Sequence, residues 1–286
     1  MNIYNNEDIL RQEIISSYIE GSSAIKIAKE LNINNYRVYK TLEDNNIERR
    51  SNSINSKKYT FNENYFEVIN DPIKAYWLGF LYADGYISKN KERYNSGLVG
   101  LSIHEKDEEH LLKFKNDIQS THEIKHYKVS KGKGYSETPY VRLILNSKTI
   151  YGDLVNHGLV EHKSQVKEPP KNLPKEYEKY FILGYFDGNG SISMSKDKNS
   201  GFDFKFRITS TKLMLSFIME HLYNNETIYK ISNTYKRHSY DIVESLDYGG
   251  NQQVYKIMKY LYEDTERFLQ RKYDRFLMLK TQINGG

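Results

Sequence analysis

Two nearly unbroken apolar stretches stand out from an otherwise polar chain, at residues 76–83 and 181–188. Apolar and aromatic side chains cover most faces of each stretch, which predicts buried helices rather than amphipathic surface helices. A proline precedes each one, Pro72 or Pro174. Proline suits the first turn of a helix, where its missing N–H is not needed. The pattern therefore predicts two core helices at these places.

The two stretches are copies of one sequence at a constant spacing of 105 residues, which takes Gly79 to Gly184 and Asp84 to Asn189. An internal duplication of this kind predicts two pseudo-symmetric halves. Each copy ends in a polar residue followed by glycine, which is expected to stop the helix. The polar residue is a carboxylate in the first copy and a carboxamide in the second, so the second half lacks its acid.

Each copy also carries two small residues four positions apart, which lie on one face of a helix. The pairs are Gly79 with Ala83 and Gly184 with Gly188. Small side chains let two helix backbones approach closely, so the copies predict parallel helices that meet at their C-terminal ends. Helix C-termini carry partial negative charge, and carboxylates meeting there would form an oxygen-rich site suited to Mg²⁺. The alternative is two core helices that each end near an acidic residue.

Both copies resemble the signature of the LAGLIDADG homing endonucleases, which ends in an acidic residue and glycine, as Asp84-Gly85 does in the first copy. The resemblance extends over residues 62–282. It implies an α+β fold in which two αββαββα half-domains form a DNA-binding saddle. It also implies a monomeric, site-specific endonuclease that cuts double-stranded DNA at a long, partly pseudo-palindromic target.

The resemblance implies catalytic and metal-binding roles at the two helix ends. Asp84 and the carbonyl of Ala83 would hold Mg²⁺, or another divalent cation, in the first half. Asn189 and the carbonyl of Gly188 would occupy the second position, and Asp187, which is off that position, does not substitute. An amide oxygen binds Mg²⁺ without the charge that offsets the ion's dehydration. We therefore expect impaired or absent double-strand cleavage, or nicking alone, whether Asn189 is an engineered substitution or a natural one.

The family also places a lysine beside the active site near the end of each half. By that resemblance Lys163 and Lys272 are catalytic residues that polarise the attacking water or stabilise phosphoryl charge. Arg271 competes with Lys272 for the second place. A surface or linker role is the alternative for either lysine.

Partly alternating apolar and polar residues after each core helix predict β-strands, followed in both halves by a further helix. The first strands cover residues 96–103 and 201–208, and Ile103 and Ile208 again differ by 105 positions. Further strands are predicted near residues 123–130, 140–145, 228–235 and 239–246.

Composition and periodicity divide the chain into five segments. They are a small helical domain at 1–48, which resembles a helix-turn-helix domain, a basic linker at 49–61, a first half-domain at 62–166, a proline-rich linker at 167–175 and a second half-domain at 176–286. The basic linker is either a solvated tether or an arm that lies along phosphates.

Residues 8–50 predict three short helices, the second capped by Ser23 and the third by Asn34. The segment at 25–47 resembles a resolvase- or transposase-type helix-turn-helix, whose third helix enters the DNA major groove. A three-helix packing module with no DNA role is the alternative.

The predicted DNA contacts are basic, tyrosine and asparagine side chains on the third helix, the linker and the polar strand faces. In the N-terminal region they are Asn35, Tyr36, Arg37, Tyr39, Lys40, Arg49 and Arg50. On the strands they are Lys125, Lys128, Arg142, Lys205, Arg207, Lys236 and Arg237. For any single strand residue, an ordinary solvated sheet face is the alternative.

Composition permits this interpretation and excludes others. The net charge of +5 allows nucleic-acid binding, and the absence of cysteine excludes disulfides and thiolate metal sites. No apolar run approaches the length of a membrane span, and the N-terminus does not resemble a signal peptide. We therefore expect a cytoplasmic protein, encoded by a bacterium or phage, with no membrane partner.

Two other functions fit the same residues. One is a non-catalytic, sequence-specific DNA-binding regulator on the same fold, favoured by the missing acid and disfavoured by the retained Asp84, Lys163 and Lys272. The other is an intron maturase that binds RNA, which a DNA-reading helix-turn-helix disfavours.

Overall fold

The computed structural model describes residues 3–48, 59–89, 97–129, 138–161, 168–196, 201–236, 238 and 241–284. The chain divides into two compact units, Met1–Tyr59 and Thr60–Gly286. None of the helices in the described residues is long and apolar enough to cross a membrane.

Among its described residues, the N-terminal unit has the helices α1 (Ile3–Ile19), α2 (Ala24–Glu30) and α3 (Asn35–Asp44). Ser23 and Asn34 cap α2 and α3, because their side-chain oxygens accept main-chain N–H groups of the first turn. The buried residues that hold the three helices together are Ile14, Tyr18, Ala24, Ile27, Ala28, Val38 and Leu42. A DNA-reading role for this unit remains a prediction.

The first half of the larger unit follows the order αββαββα. Its elements are α4 (Pro72–Ala83), β1 (Gly85–Lys89), β2 (Gly97–His104), α5 (Glu108–Asp117), β3 (Lys125–Val129), β4 (Thr138–Asn146) and α6 (Lys148–Asn156). The four strands form an antiparallel sheet in the order β1-β2-β4-β3. Pro72 occupies the first turn of α4, and the Asp71 side chain caps that turn by accepting the Lys74 N–H at 2.9 Å.

The second half begins with a 3₁₀ turn, Lys175–Tyr177, that follows Pro174. Its further elements are α7 (Glu178–Asn189), β5 (Gly190–Lys196), β6 (Phe202–Ser210), α8 (Lys212–Asn224), β7 (Glu244–Gly249), α9 (Asn251–Tyr262) and α10 (Gln270–Asn284). The described strands form an antiparallel sheet in the order β5-β6-β7. β1 and β5, which start at the glycine after each core helix, are additional to the predicted strands.

The strand predicted at 228–235 is wrong. The structure has only one isolated bridge there, between Tyr235 and Ser245. Ile228 is buried, but Tyr229 and Ile231 are 73% and 58% exposed. The alternation therefore offers no continuous apolar face, because the half-buried positions further along are the polar Ser232 and Thr234. The neighbouring strand forms later than predicted, as β7.

The constant spacing of 105 residues does not extend to the pairing of the strands. Gly85 pairs with Leu101, sixteen positions later, whereas Gly190 pairs with Ile208, eighteen positions later. The β5–β6 hairpin is therefore two residues longer than the β1–β2 hairpin. Ile208 occupies the place of Leu101 rather than that of Ile103, so equal spacing in the sequence does not identify equivalent strand positions.

A single hydrophobic core joins the two halves. The helices α4 and α7 pack against each other at its centre, and the inward faces of both sheets cover them. Alternate residues of β2 and β6 point into this core, namely Val99, Leu101 and Ile103 from β2, and Phe204, Phe206 and Ile208 from β6. The opposite faces carry most of the polar side chains of the strands.

Candidate active site at the junction of two helices

The close approach of α4 and α7 requires glycine at two positions. A Cβ atom added at Gly79 would lie 2.0 Å from the carbonyl oxygen of Phe181. A Cβ atom added at Gly184 would lie 2.0 Å from the carbonyl oxygen of Tyr76. Main-chain atoms of one helix thus occupy the space of a side chain on the other.

The two helices run parallel and bring their C-terminal ends together, as the small residues predict. A Cβ atom at Gly188 would lie 2.2 Å from the Ala83 Cβ and 3.4 Å from the Asp84 carboxyl carbon. Asp84 and Asn189, which follow these small residues, therefore meet at one junction. Asp84 is exposed and Asn189 is half-buried.

The glycines that end the helices serve close packing rather than a left-handed backbone. Gly190 has a φ of −96°, so it does not adopt the conformation that glycine favours after many helices. A Cβ atom there would lie 2.2 Å from the Phe186 ring, and one at Gly85 would lie 2.6 Å from the Leu81 side chain. Each strand can therefore turn back tightly against its own helix only without a side chain at this position.

A hydrogen-bonded chain orients the amide of Asn189. Its Nδ2 donates to the Tyr185 hydroxyl at 3.0 Å, and that hydroxyl lies 2.6 Å from the Ser210 Oγ. Burial raises the pKa of Tyr185 to about 12, and the negative charge of Asp84 contributes to the increase. Because the amide nitrogen faces Tyr185, the amide oxygen is directed away from it.

Lys272 binds the C-terminal end of α7. Its Nζ donates to the carbonyl oxygens of Phe186 at 2.6 Å, Asp187 at 2.7 Å and Gly190 at 2.5 Å. These bonds use all three protons of the ammonium and compensate the partial negative charge of the helix end. Burial lowers the pKa of Lys272 to about 8, and the charge of Asp187 opposes this decrease. A role for Lys272 in activating water remains a prediction.

Asp187 caps the N-terminal end of α10, and the sequence did not predict this role. Its Oδ2 accepts the Leu269 N–H at 2.7 Å and the Tyr76 hydroxyl at 2.7 Å. The acid of α7 thus caps α10, while Lys272 of α10 caps α7. Burial raises the pKa of Asp187 to about 6, and the charge of Lys272 opposes the increase. The available signal was an acidic residue within an apolar helix, because buried charges are paired.

The buried network continues to His110 in the other half. The Tyr76 hydroxyl donates to Asp187 and lies 2.9 Å from His110 Nε2, which therefore carries the proton. Among the described residues, His110 Nδ1 has no hydrogen-bond partner. Burial lowers the pKa of His110 to about 3, and the charge of Lys113 adds to the decrease. His110 is therefore neutral at pH 7.

We expect His110 to make the fold sensitive to acid. Its pKa falls from 6.5 to about 3 on folding, so between these values only the unfolded chain binds the proton. The free energy of unfolding should therefore fall by about 2 kcal/mol between pH 7 and pH 5 from this group alone. The measurement is urea unfolding of the parent chain and His110→Gln at both pH values. The raised pKa of Asp187 acts in the opposite direction in both proteins and largely cancels in their difference. An equal pH dependence of the two would contradict the prediction.

Two ion pairs add to the contact between the halves. Arg267 donates to both carboxylate oxygens of Asp117, at 2.6 and 2.7 Å. Arg271 binds Asp107 at 3.0 Å, so its guanidinium faces the first half and not the end of α7. Arg271 therefore does not occupy the place that it was expected to compete for.

The donor atoms at the junction are oxygens, which is the kind of ligand that divalent cations bind. Only one of these groups, the Asp84 carboxylate, carries a formal negative charge. The donors are the carboxylate of Asp84 and the amide oxygen of Asn189, and the sequence predicts the carbonyls of Ala83 and Gly188 as further donors. Oxygen donors of this kind suit Mg²⁺. In the part of the chain that the structure describes, no cluster of three or more histidine or acidic residues could hold a metal. Lys163 lies outside the described residues.

The structure places the predicted DNA contacts in different environments. In the N-terminal unit, Tyr39 packs on the core and Arg37 binds Glu7 at 3.1 Å. Asn35, Tyr36, Lys40, Lys125, Lys128, Lys205 and Lys236 are exposed, whereas Arg142 and Arg207 are half-buried. Arg49, Arg50 and Arg237 lie outside the described residues.

Solved structures of LAGLIDADG homing endonucleases share this architecture. I-GzeII in complex with DNA target matches with a TM-score of 0.50 and 10% identity, covering 76% of this chain and 92% of that one. I-LtrWI bound to target DNA gives 0.50 and 13%, covering 78% and 92%. I-CpaMI bound to uncleaved DNA gives 0.50 and 13%, covering 76% and 93%. No protein-family model and no curated protein matches the chain. The chain has the LAGLIDADG endonuclease fold, so the predicted α+β class is confirmed.

Proposed function

We propose that this chain, which has the LAGLIDADG endonuclease fold, binds a specific double-stranded DNA target and hydrolyses its phosphodiesters with a divalent cation. The observation that carries the proposal is the junction of α4 and α7, where glycine packing brings Asp84 and Asn189 together. Because Asn189 replaces the second acid, the chain cuts both strands poorly or not at all, and nicking is the activity that remains.

The residues at the junction have separate roles in this proposal. Asp84, Asn189 and the carbonyls of Ala83 and Gly188 would hold Mg²⁺, or another divalent cation. When bound, such an ion lowers the pKa of a water molecule and stabilises the leaving oxygen of a phosphodiester. Tyr185 fixes the direction of the Asn189 amide. Lys163 and Lys272 are the proposed basic residues of the two sites.

The partner in this proposal is duplex DNA. I-GzeII, I-LtrWI and I-CpaMI were each solved bound to DNA. Twisted antiparallel strands can follow a major groove, and the outward faces of both sheets here carry most of the polar side chains of the strands. The N-terminal unit, with exposed Asn35, Tyr36 and Lys40 on α3, would extend the contact as a helix-turn-helix.

A DNA-binding regulator without nuclease activity is the second candidate. Two observations favour it. The group at position 189 is neutral, and the ammonium of Lys272 is fully engaged by main-chain carbonyls. Neither observation bears on DNA binding, so the two candidates differ only in catalysis.

The test is selection of bound duplexes from a random library by the full chain, followed by incubation of the enriched duplex with Mg²⁺ or with EDTA. We expect a single enriched sequence family and slow, Mg²⁺-dependent nicking. Enrichment without any strand cleavage would favour the regulator. Preferential binding of a structured intron RNA over every duplex would contradict both candidates.

A further inference from the structure

Within the described strands, each sheet carries one arginine on its outward face, next to the row that holds the helix-ending glycine. In the first sheet, Arg142 of β4 lies in a row with Ser102 and Lys125. In the second sheet, Arg207 of β6 lies in a row with Ser191 and Asp247. The two arginines have different hydrogen-bond partners, so their guanidinium groups differ in how readily they can contact DNA.

Arg142 is held in place by neutral groups and keeps its charge available. Its Nε donates to the Ser102 hydroxyl at 2.9 Å. Its guanidinium lies over the rings of Tyr127 and Tyr140, at 5.1 and 5.3 Å from their centroids. Among the described residues, no carboxylate pairs with Arg142. Lys125, in the same row, adds a second positive charge to this surface.

Arg207 is engaged by a carboxylate of its own sheet. Its Nε and Nη2 donate to the two oxygens of Asp247, both at 2.6 Å, and Nη2 also donates to the Tyr235 hydroxyl at 3.0 Å. Asp247 further accepts the Tyr235 hydroxyl at 2.9 Å and has Lys205 at 3.8 Å. The Asp247 side chain is only 17% exposed. In this row the charge of Arg207 is therefore neutralised by Asp247, and the Nε and Nη2 groups of Arg207 already donate hydrogen bonds within the protein.

The hydrogen bonds of Arg207 also lower the pKa of the Asp247 carboxyl below its usual range. The carboxylate is therefore ionised at neutral pH. Extracting the guanidinium towards a base would leave a largely buried carboxylate without its partner, and such a change is costly. Arg142 can meet a base without breaking an ion pair.

We propose that Arg142 reads a guanine in one half of the DNA target, whereas Asp247 withholds Arg207 from the bases of the other half. The proposal rests on the proposed function, because it assigns base recognition to the DNA surface of that function. An arginine fork matches the O6 and N7 acceptors of guanine in the major groove. The half-site under the second sheet then lacks an equivalent guanine requirement.

The first test compares two conservative variants in the duplex selection. Lysine keeps the positive charge and removes the planar fork, so Arg142→Lys should retain general DNA affinity and lose base discrimination. We expect the parent chain to prefer guanine at one position, and Arg142→Lys to lose about 5- to 150-fold of that preference. Arg207→Lys, the matched control, should leave the preference at every position within about twofold.

The second test asks for a gain of specificity. Asp247→Ser gives Arg207 a cross-strand hydroxyl, which is the arrangement that Ser102 gives Arg142. We expect a new guanine preference in the second half-site and steeper salt dependence of binding, because a positive charge is released. Urea midpoints of all variants establish that they are folded.

The outcomes separate the proposal from the function on which it rests. A parent chain that enriches no duplex would overturn the proposed DNA binding, and the proposal with it. An enriched duplex whose base preferences change equally in Arg142→Lys and Arg207→Lys would overturn this proposal alone. So would an Asp247→Ser profile identical to that of the parent.

Discussion

Asn189→Asp should raise Mg²⁺-dependent strand cleavage at the selected duplex by about 10²- to 10³-fold. The added carboxylate supplies the negative charge that an amide oxygen lacks, and it lies at the junction beside Asp84. The measurement is the single-turnover rate of each strand with labelled duplex. We expect the parent to give slow nicking at most, and the variant to cut both strands.

A double variant provides the matched control. Asp84→Asn together with Asn189→Asp moves the single carboxylate from the first helix to the second. If cleavage of both strands requires a carboxylate at both positions, this double variant should return to low activity. Equal cutting by Asn189→Asp and the parent chain would contradict the role of position 189.

A second readout does not depend on catalysis. Without metal, a carboxylate at position 189 adds negative charge to a helix C-terminus next to Asp84, which should lower the thermal midpoint. Mg²⁺ should restore it by binding the folded state, following the ratio of ion concentration to Kd. The parent chain should show a smaller shift with Mg²⁺, and an equal shift in both would contradict a shared metal site.

Gly184→Ala is the substitution with the largest expected effect on stability. Its Cβ would lie 2.0 Å from the carbonyl oxygen of Tyr76, which belongs to the backbone of the facing helix and cannot rotate away. We expect a loss of about 3 kcal/mol or more in the free energy of unfolding, at the upper end of overpacking effects. Urea unfolding with an unchanged slope would measure the loss.

Gly152→Ala is the control for this prediction. Gly152 is also helical, but beyond its own helix backbone no atom of the described residues lies within 4 Å of a Cβ placed there. Alanine has the higher helix propensity, so this variant should be as stable as the parent or more stable by up to about 1 kcal/mol. Similar losses in both variants would mean that the contact between α4 and α7 is not the reason for glycine at position 184.

Much of the candidate site was open to prediction because its pattern is local. Gly79, Ala83, Gly184 and Gly188 have helical spacing, and a helix converts that spacing into one small face. Asn189 was identifiable as the departure from the repeat because two copies can be compared within one chain. The strand prediction at 228–235 failed because the alternate residues of this segment do not form a continuous apolar face.

Other features depend on partners far apart in the sequence. Asp187 and Lys272 cap each other's helices. Asp247 pairs with Arg207, whereas no carboxylate of the described residues pairs with Arg142. A buried charge requires compensation, but its sequence neighbours do not identify the group that supplies it. The hairpin that is two residues longer likewise shifted the strand register without disturbing the repeat spacing.

The sequence by itself determined the two glycine-faced helices, the pseudo-symmetric halves and the missing acid, because each follows from periodicity within one helix and from comparison of its two copies. The tertiary structure alone decided which charges are neutralised, how the strands are paired and which of the two arginines a carboxylate holds. Those properties arise from contacts between distant segments, and only the folded chain brings such segments within hydrogen-bonding distance.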